Sequence, residues 1–173
     1  MANPHRLFAR EIRALFLQSE KLYSALTQLR YEGRLQERRN IRRVEQSVRI
    51  LYGSLKKHIS VQERVIFPFF ERHIPRYELA IQLLKAEHQD IRRCCEVLQK
   101  SASGIKAAPR TPDCGRIYNQ GIYLTALLRH HFEFENQSVL TPAAQGLTKA
   151  EKITLRRSKA KKRGVIRVTA LRQ

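Results

Sequence analysis

Apolar residues recur along this chain at alternating spacings of three and four, which places each set on one face of a helix. Four such stripes are present, and a polar residue interrupts each of them near its middle. The stripes are Ile12, Leu15, Ser19, Leu22, Leu26 and Leu29; Leu51, Leu55, His58, Gln62, Val65 and Phe69; Ile81, Leu84, His88, Ile91, Cys95 and Leu98; and Leu124, Leu128, His131, Glu135 and Ser138. The sequence shows no strand-like alternation. It therefore predicts an all-α fold, an antiparallel up-down four-helix bundle with these stripes facing inward.

Helix-breaking residues set the expected bounds of the four long helices. Pro68 should kink or close the second helix, with a short continuation to His73 as an alternative, and Pro142 should mark the end of the fourth. Between the third and fourth helices lies a loop rich in proline and glycine. The expected bounds are about residues 4–31, 35–67, 75–102 and 116–139.

A short fifth helix is expected after the bundle. Thr148 can cap its first turn, with Glu151 three residues later completing a capping box, and the helix should run to about Arg163. A chain of this length is expected to form one domain. The sequence thus predicts a bundle domain over residues 1–164 and a basic tail over residues 165–173.

The net charge of +19 is concentrated in two places rather than spread evenly. One is residues 34–46, at the start of the second helix. The other is residues 149–173, which hold ten Lys or Arg against one Glu. Such surfaces attract nucleic acid, anionic lipid or acidic proteins, and a solvated basic surface is the alternative. Because no aromatic residues interleave the C-terminal basic residues, a base-stacking platform is not indicated.

Composition also bears on the cellular location and on the cysteines. No stretch has the apolar length of a membrane span or the apolar core of a signal peptide, so we expect a cytoplasmic protein. Cys94 and Cys95 are adjacent and Cys114 makes the count odd, so a disulfide framework is not expected. Cys95 follows His88 by seven residues on the same face. We interpret it as a small core residue, with a thiolate metal ligand as the alternative.

The polar residues inside the stripes define a candidate metal centre. A histidine and a carboxylate four residues apart share one helical face, so both can reach one ion. His131 and Glu135 have this spacing, whereas His58 is followed at the same spacing by Gln62. His88 adds a third imidazole from a neighbouring helix. Imidazole and carboxylate together suit iron or zinc, and the expected ligands are His58, His88, His131 and Glu135.

A hydrogen-bonded cluster without metal is the alternative interpretation of the same residues. One carboxylate can accept hydrogen bonds from two imidazoles, and Gln62 can both donate and accept. Glu63 lies about 100° round the helix from Gln62, so it could reach inward only if its helix were distorted. The same holds for Glu20 beside Ser19. We expect surface or boundary positions, not ligand roles, for Glu20, Glu63, His5, His73 and His130.

Three blocks of the sequence resemble hemerythrin-like (HHE) cation-binding domains. Residues 58–68, HISVQERVIFP, resemble the His-xxx-Glu-Glu block of the family's second helix, and residues 87–91, EHQDI, resemble its third-helix Glu-His block. Residues 131–135, HFEFE, with Pro142 beyond them, resemble its closing His-xxx-Glu block. The segment LTKAEKITLRRSKAKKRG is similar to a short C-terminal helix of many bacterial members. The resemblance covers about residues 7–164.

The resemblance implies a bundle that holds two irons between histidines from all four helices and two bridging carboxylates. Such sites bind dioxygen or nitric oxide, or handle iron and peroxide. Two positions depart from the family: its helix-1 histidine falls at Ser19, and its helix-2 bridging glutamate falls at Gln62. Two ferrous ions bring four positive charges, and the single interior carboxylate offsets one of them. The four remaining ligands therefore imply one iron rather than two, with zinc as the alternative metal.

Two functions are consistent with these residues. The first is a metal-binding protein that senses, binds or sequesters a small ligand, such as oxygen or nitric oxide, or the metal itself. The second is a metal-free scaffold that binds nucleic acid or another polyanion through its basic surface, with Lys159, Lys161, Lys162 and Arg163 at its centre. No proton donor or substrate pocket is identified, so no enzymatic activity is assigned.

Overall fold

The computed structural model describes residues 9–32, 36–105 and 111–158. The labelled α-helices of these residues are α1 (Ala9–Tyr31), α2 (Glu37–Val61), α3 (Phe67–His73), α4 (Glu78–Ser103), α5 (Thr111–Phe134) and α6 (Thr141–Gly146). Two π-helical segments, Gln62–Ile66 and Glu135–Leu140, join α2 to α3 and α5 to α6. A 3-10 turn, Pro75–Tyr77, precedes α4, and residues 149–158 are helical.

The four long helices α1, α2, α4 and α5 pack in a ring. Helix α1 contacts α2 and α5, and α4 contacts the same two helices from the opposite corner. Near the end of α1 the Gln28 carbonyl accepts a hydrogen bond from Asn40, early in α2, while Glu11 near its start lies beside His58, late in α2. The two helices therefore run in opposite directions. The predicted all-α four-helix bundle is confirmed.

The inward stripes of α1 and α4 are buried at every predicted position, including the polar Ser19 and His88. On α2 and α5 the prediction is correct as far as Gln62 and Glu135, both of which are fully buried. Cys95 lies in the core, as expected of a small apolar residue. Burial raises the pKa of its thiol to about 12, which disfavours the thiolate that a metal would need.

Beyond Gln62 and Glu135 the predicted core positions are wrong by one residue. A π-helical turn holds one residue more than an α-helical turn, so every later side chain is rotated out of the expected phase. Val65 and Phe69 are half-buried and Ser138 is exposed, whereas Ile66, Phe70 and Val139 are buried in their place. The π-helical segments therefore shift the buried positions at the ends of two of the four predicted stripes by one residue.

Pro142 does not end the fourth helix as predicted, whereas Pro68 is followed by the short continuation to His73 that the sequence allowed. Each lies in the first turn of the short helix that follows a π-helical segment, α3 and α6 respectively. Proline is tolerated there because its fixed φ is already helical and its missing N–H falls where the π-helical hydrogen bonding gives way to the α-helical pattern. The helical path consequently continues to His73 and to Gly146.

Helix α5 begins at Thr111, earlier than the predicted Arg116. Asp113 lies in its first turn, where a carboxylate interacts favourably with the helix dipole, and its Oδ1 accepts a hydrogen bond from Arg116 at 2.8 Å. These two interactions extend the helix into a stretch whose composition predicts a loop.

The predicted capping box is confirmed at the start of the helix over residues 149–158. The Thr148 N–H donates to Glu151 Oε2 at 2.8 Å, and the Glu151 N–H donates to Thr148 Oγ1 at 3.3 Å. His5, the predicted end of this helix at Arg163, the lysines proposed for polyanion binding and the tail over 165–173 lie outside the described residues. The domain bounds and the polyanion surface therefore stay predictions.

Within the ranges that the structure covers, no helix combines the length and apolar composition that a bilayer crossing requires. The cytoplasmic location stays a prediction.

Gly53 on α2 and Gly121 on α5 provide a matched test of helix packing. A methyl group at position 53 would meet nothing within 4 Å, whereas one at position 121 would overlap the fully buried side chain of Leu26 on α1. We expect Gly53→Ala to raise the free energy of unfolding by about 0.5–1 kcal/mol, because alanine is the better helix former. We expect Gly121→Ala to lower it by about 1–3 kcal/mol, because Leu26 must be displaced. Urea unfolding followed by circular dichroism measures both, and equal shifts of one sign would contradict the close approach of α1 and α5.

Candidate metal centre

The structure brings the four predicted ligands together in the interior of the bundle. His58 lies near the end of α2, His88 on α4, His131 near the end of α5, and Glu135 at the first position of the second π-helical segment. All four side chains are almost completely buried. The rings of His88 and His131 meet edge to face, with centroids 5.0 Å apart. A polar cluster therefore occupies the place where the core would otherwise be apolar.

Glu135 lies at the centre of this cluster. Its Oε1 accepts a hydrogen bond from the Gln62 amide, while its Oε2 lies 3.3 Å from His58 Nε2 and 3.5 Å from His131 Nε2. Two ligand atoms that are each about 2.0–2.2 Å from a zinc ion, at a tetrahedral angle, are about 3.4 Å apart. The observed separations are those of hydrogen-bonded or ion-paired atoms, and they also lie near the separation of two atoms that share one ion.

A second layer of carboxylates surrounds the imidazoles. Each ring has its Nδ1 beside a glutamate from a different part of the bundle. The pairs are Glu11 with His58 at 3.4 Å, Glu63 with His88 at 3.0 Å, and Glu87 with His131 at 2.7 Å. An ionised carboxylate only accepts hydrogen bonds, so each ring donates from Nδ1 and turns its Nε2 toward the interior. Histidines that bind metals are held by outer partners in this way.

Three inward-facing atoms of the cluster are left without a partner. Among the described residues, no hydrogen-bond partner meets His88 Nε2, His131 Nε2 or Gln62 Oε1, although all three atoms are buried. His131 Nε2 is 3.5 Å from Glu135, at the limit of hydrogen-bond distance and without the geometry of a bond. A buried polar atom without a partner costs about 1–3 kcal/mol. A cation among these atoms would compensate all three.

The donor chemistry fits one divalent ion, since neutral imidazoles and a carboxylate suit iron or zinc. The side chains are not, however, arranged as a complete metal site. In the part of the chain that the structure describes, no group of three or more His, Cys, Asp or Glu is disposed to hold an ion. The Gln62 amide is bonded to Glu135 and takes up one of its two oxygens. An ion would have to displace or share this contact.

The pKa values of two imidazoles are strongly shifted in opposite directions. Burial, together with the neighbouring His131, lowers the pKa of His88 to about 3, so this ring is neutral with its proton on Nδ1. Burial also lowers the pKa of His58, but the carboxylates of Glu135 and Glu11 outweigh it and raise the pKa to about 9. A proton on His58 therefore balances the charge of Glu135 when no metal ion is present.

Glu63 keeps the boundary position expected from the sequence but also contacts the centre. It is not a free surface charge, because its Oε1 accepts from His88 and its Oε2 accepts from Arg92 at 2.7 Å. Burial raises the pKa of Glu63, but Arg92 and His88 outweigh burial and lower it, so the carboxylate is ionised. The π-helical segment that begins at Gln62 is the distortion that such an inward reach requires.

Glu87 and Glu11 were not predicted to take part in the centre. The hydrogen bond from His131 lowers the pKa of Glu87, which is therefore ionised as well. Both residues directly adjoin an inward position, Glu87 before His88 and Glu11 before Ile12. That adjacency is the signal by which sequence reasoning could have found them.

Of the other residues predicted to have no ligand role, His130, Glu20 and His73 are described, and each pairs with a residue other than the four predicted ligands. His130 is exposed and lies 3.4 Å from the outer face of Glu87, and Glu20 pairs with Arg129 at 3.2 Å. His73 pairs with Glu151 at 2.9 Å, which ties the end of α3 to residues 149–158. Ser19 is buried on α1, and the contribution of α1 to the cluster is Glu11.

The bundle and its centre define a class of protein, a helical bundle that gathers imidazoles and a carboxylate in its interior. The chain matches the family model described as the hemerythrin HHE cation binding domain over residues 5–143. It therefore belongs to the hemerythrin HHE cation-binding domain family, and the resemblance found in the sequence is confirmed. Comparison with curated proteins gave no significant match.

Proposed function

We propose that the protein binds a single divalent transition-metal ion, iron or zinc, through His58, His88, His131 and Glu135. The observation that carries this proposal is the set of buried, unpartnered atoms around Glu135: His88 Nε2, His131 Nε2 and Gln62 Oε1. Two of the three are imidazole nitrogens whose opposite nitrogen is already bonded to a carboxylate. A cation on the inner side would satisfy both nitrogens.

One ion is proposed rather than two because two ligands of a dinuclear centre are missing. Ser19 offers a hydroxyl in place of an imidazole, and Gln62 offers a neutral amide in place of a bridging carboxylate. The excess positive charge of two ions would be smaller than the sequence suggests, because Glu11, Glu63 and Glu87 supply negative charge just outside the imidazoles. The missing ligands, more than the missing charge, limit the centre to one ion.

A bound ion would supply Lewis-acid or redox chemistry to a small ligand at an open coordination position. The residues of this chain would bind the ion and hold its ligands in place. Glu135 provides charge, the imidazoles provide neutral donors, and the outer glutamates hold the Nδ1 protons. We propose that the protein senses, binds or sequesters oxygen, nitric oxide or the metal itself.

The adjacent residues His130 and His131 give a matched test. His131 is buried beside Glu135, whereas His130 is exposed. In protein purified without chelators, we expect about one equivalent of metal in the wild type and in His130→Ala, and close to none in His131→Ala, because only His131 faces the ion. Elemental analysis by mass spectrometry measures the content, and circular dichroism checks that both variants are folded. Equal and negligible metal in all three proteins would contradict the proposal and leave the basic surface as the working part of the molecule.

A further inference from the structure

We infer that Glu63 is a positioning residue that fixes the tautomer of His88 and thereby directs its Nε2 into the centre. The inference rests on the proposed function and deepens it. Glu63 Oε1 lies 3.0 Å from His88 Nδ1, and His88 is completely buried. Glu63 itself is only partly buried, so it lies at the wall of the bundle rather than among the inner ligands.

The orientation of the Glu63 carboxylate is set independently of any metal. Its second oxygen, Oε2, accepts a hydrogen bond from Arg92 at 2.7 Å. Arg92 follows His88 by one turn on α4, so imidazole and guanidinium present their donors to the two oxygens of one carboxylate. Oε1 is thereby directed at His88 Nδ1, where it can only accept.

The plane of the His88 ring is held from another side. The ring is stacked on Phe67, with centroids 5.7 Å apart and planes 12° from parallel. A 180° flip would leave the ring in this plane but would move Nδ1 away from Glu63, so the contact with Glu63 is what opposes the flip. With its plane fixed by Phe67 and its proton fixed by Glu63, the ring can offer only the Nε2 lone pair to the interior.

The same construction is repeated at the next helix interface. Glu87 Oε2 lies 2.7 Å from His131 Nδ1, and its other oxygen is 3.4 Å from His130. Two imidazoles on different helices are thus each aimed by a glutamate of a neighbouring helix. In both pairs the glutamate contacts Nδ1, and the Nε2 of the same ring is buried without a hydrogen-bond partner among the described residues. A carboxylate that only joined two helices would not require this arrangement.

The test compares Glu63→Ala with Glu96→Ala. Glu96, on the same helix as His88, accepts a hydrogen bond from Tyr52 at 2.7 Å and so controls for the loss of a structural carboxylate. Zinc affinity is measured by competition with a chromophoric chelator. We expect Glu63→Ala to weaken zinc binding about 10- to 100-fold, as loss of an outer partner does elsewhere, and Glu96→Ala to leave it unchanged. Glu63→Gln keeps a carbonyl acceptor and should recover most of the affinity.

A second measurement needs no metal. In the metal-free protein, nitrogen-15 NMR of the imidazoles should show His88 protonated on Nδ1 in the wild type and Glu63→Gln, and shifted toward the Nε2 tautomer in Glu63→Ala. An unchanged tautomer in Glu63→Ala, or equal zinc affinity in Glu63→Ala and wild type, would overturn the inference. Absence of zinc binding by the wild type, with the tautomers as expected, would instead overturn the proposed function and leave the positioning role intact.

Discussion

Replacing Glu135 by glutamine is expected to weaken zinc binding by about 100-fold or more, the largest loss of any isosteric change in the centre. Glu135 is completely buried and lies at hydrogen-bond or ion-pair distance from His58, His131 and Gln62 at once. It is the inner residue that carries a negative charge, and an amide of the same shape carries none. Loss of an outer-shell partner costs about 10- to 100-fold in metal affinity, so loss of an inner charged ligand should cost at least as much.

The control for this substitution is Glu133→Gln. Glu133 lies two residues away and is exposed, so the variant removes the same charge without touching the cluster. We expect its zinc affinity to equal that of the wild type in the same chelator competition. Equal affinities of Glu135→Gln and Glu133→Gln would show that the metal, if bound, is held elsewhere.

The four stripes were predictable from sequence because each begins with several turns of unbroken α-helix. Their apolar spacing places His58, His88, His131 and Glu135 on inward faces, and the structure brings these four side chains together. The spacing could not predict the two π-helical segments that begin at Gln62 and Glu135. The added residue does not change the burial of Gln62 or Glu135. Its effect is seen only beyond them, where Ile66 and Val139 are buried one residue later than the α-helical spacing predicts.

The two π-helical segments begin at Gln62 and Glu135, the two positions in contact at the centre. Each belongs to one of the blocks that resemble the family, and each is followed by a proline in the first turn of the next helix. A wider turn changes the direction of the side chains at its start, and π-helical turns are frequent at functional sites for this reason. The departure from regular helix is thus part of how the centre is assembled.

The outer carboxylates were missed for a different physical reason. Helical periodicity assigns a residue next to a stripe to the surface, yet a helix in a bundle touches two neighbours and its buried face is wider than one row. Glu11 and Glu87 each adjoin an inward residue and use that width to reach an imidazole on another helix, whereas Glu63 reaches His88 from within a π-helical segment. The sequence contains these pairs, but only the order of helices around the bundle shows which glutamate meets which histidine.

Gln62→Glu is expected to separate the stability of the metal-free protein from its affinity for metal. Without metal, the change replaces a hydrogen bond to Glu135 by two facing carboxylates in a fully buried site. We expect the free energy of unfolding to fall by roughly 1–3 kcal/mol, because a buried acceptor loses its donor and like charges repel. With metal, the added charge should strengthen binding about 10-fold, equivalent to about 1.4 kcal/mol. Urea unfolding with chelator and with excess zinc measures the two effects separately.

Gln46→Glu is the matched control, because Gln46 is exposed on α2, the helix that precedes Gln62, and its substitution adds the same charge far from the cluster. Neither the unfolding free energy nor the zinc affinity should change appreciably in that variant. If Gln62→Glu lowered both stability and zinc affinity, the side chain at position 62 would not face the ion. The missing carboxylate at that position could then not explain why the centre is limited to one metal. If the variant bound zinc more tightly but was less stable without metal, the wild-type amide of Gln62 would stabilise the metal-free core and weaken metal binding.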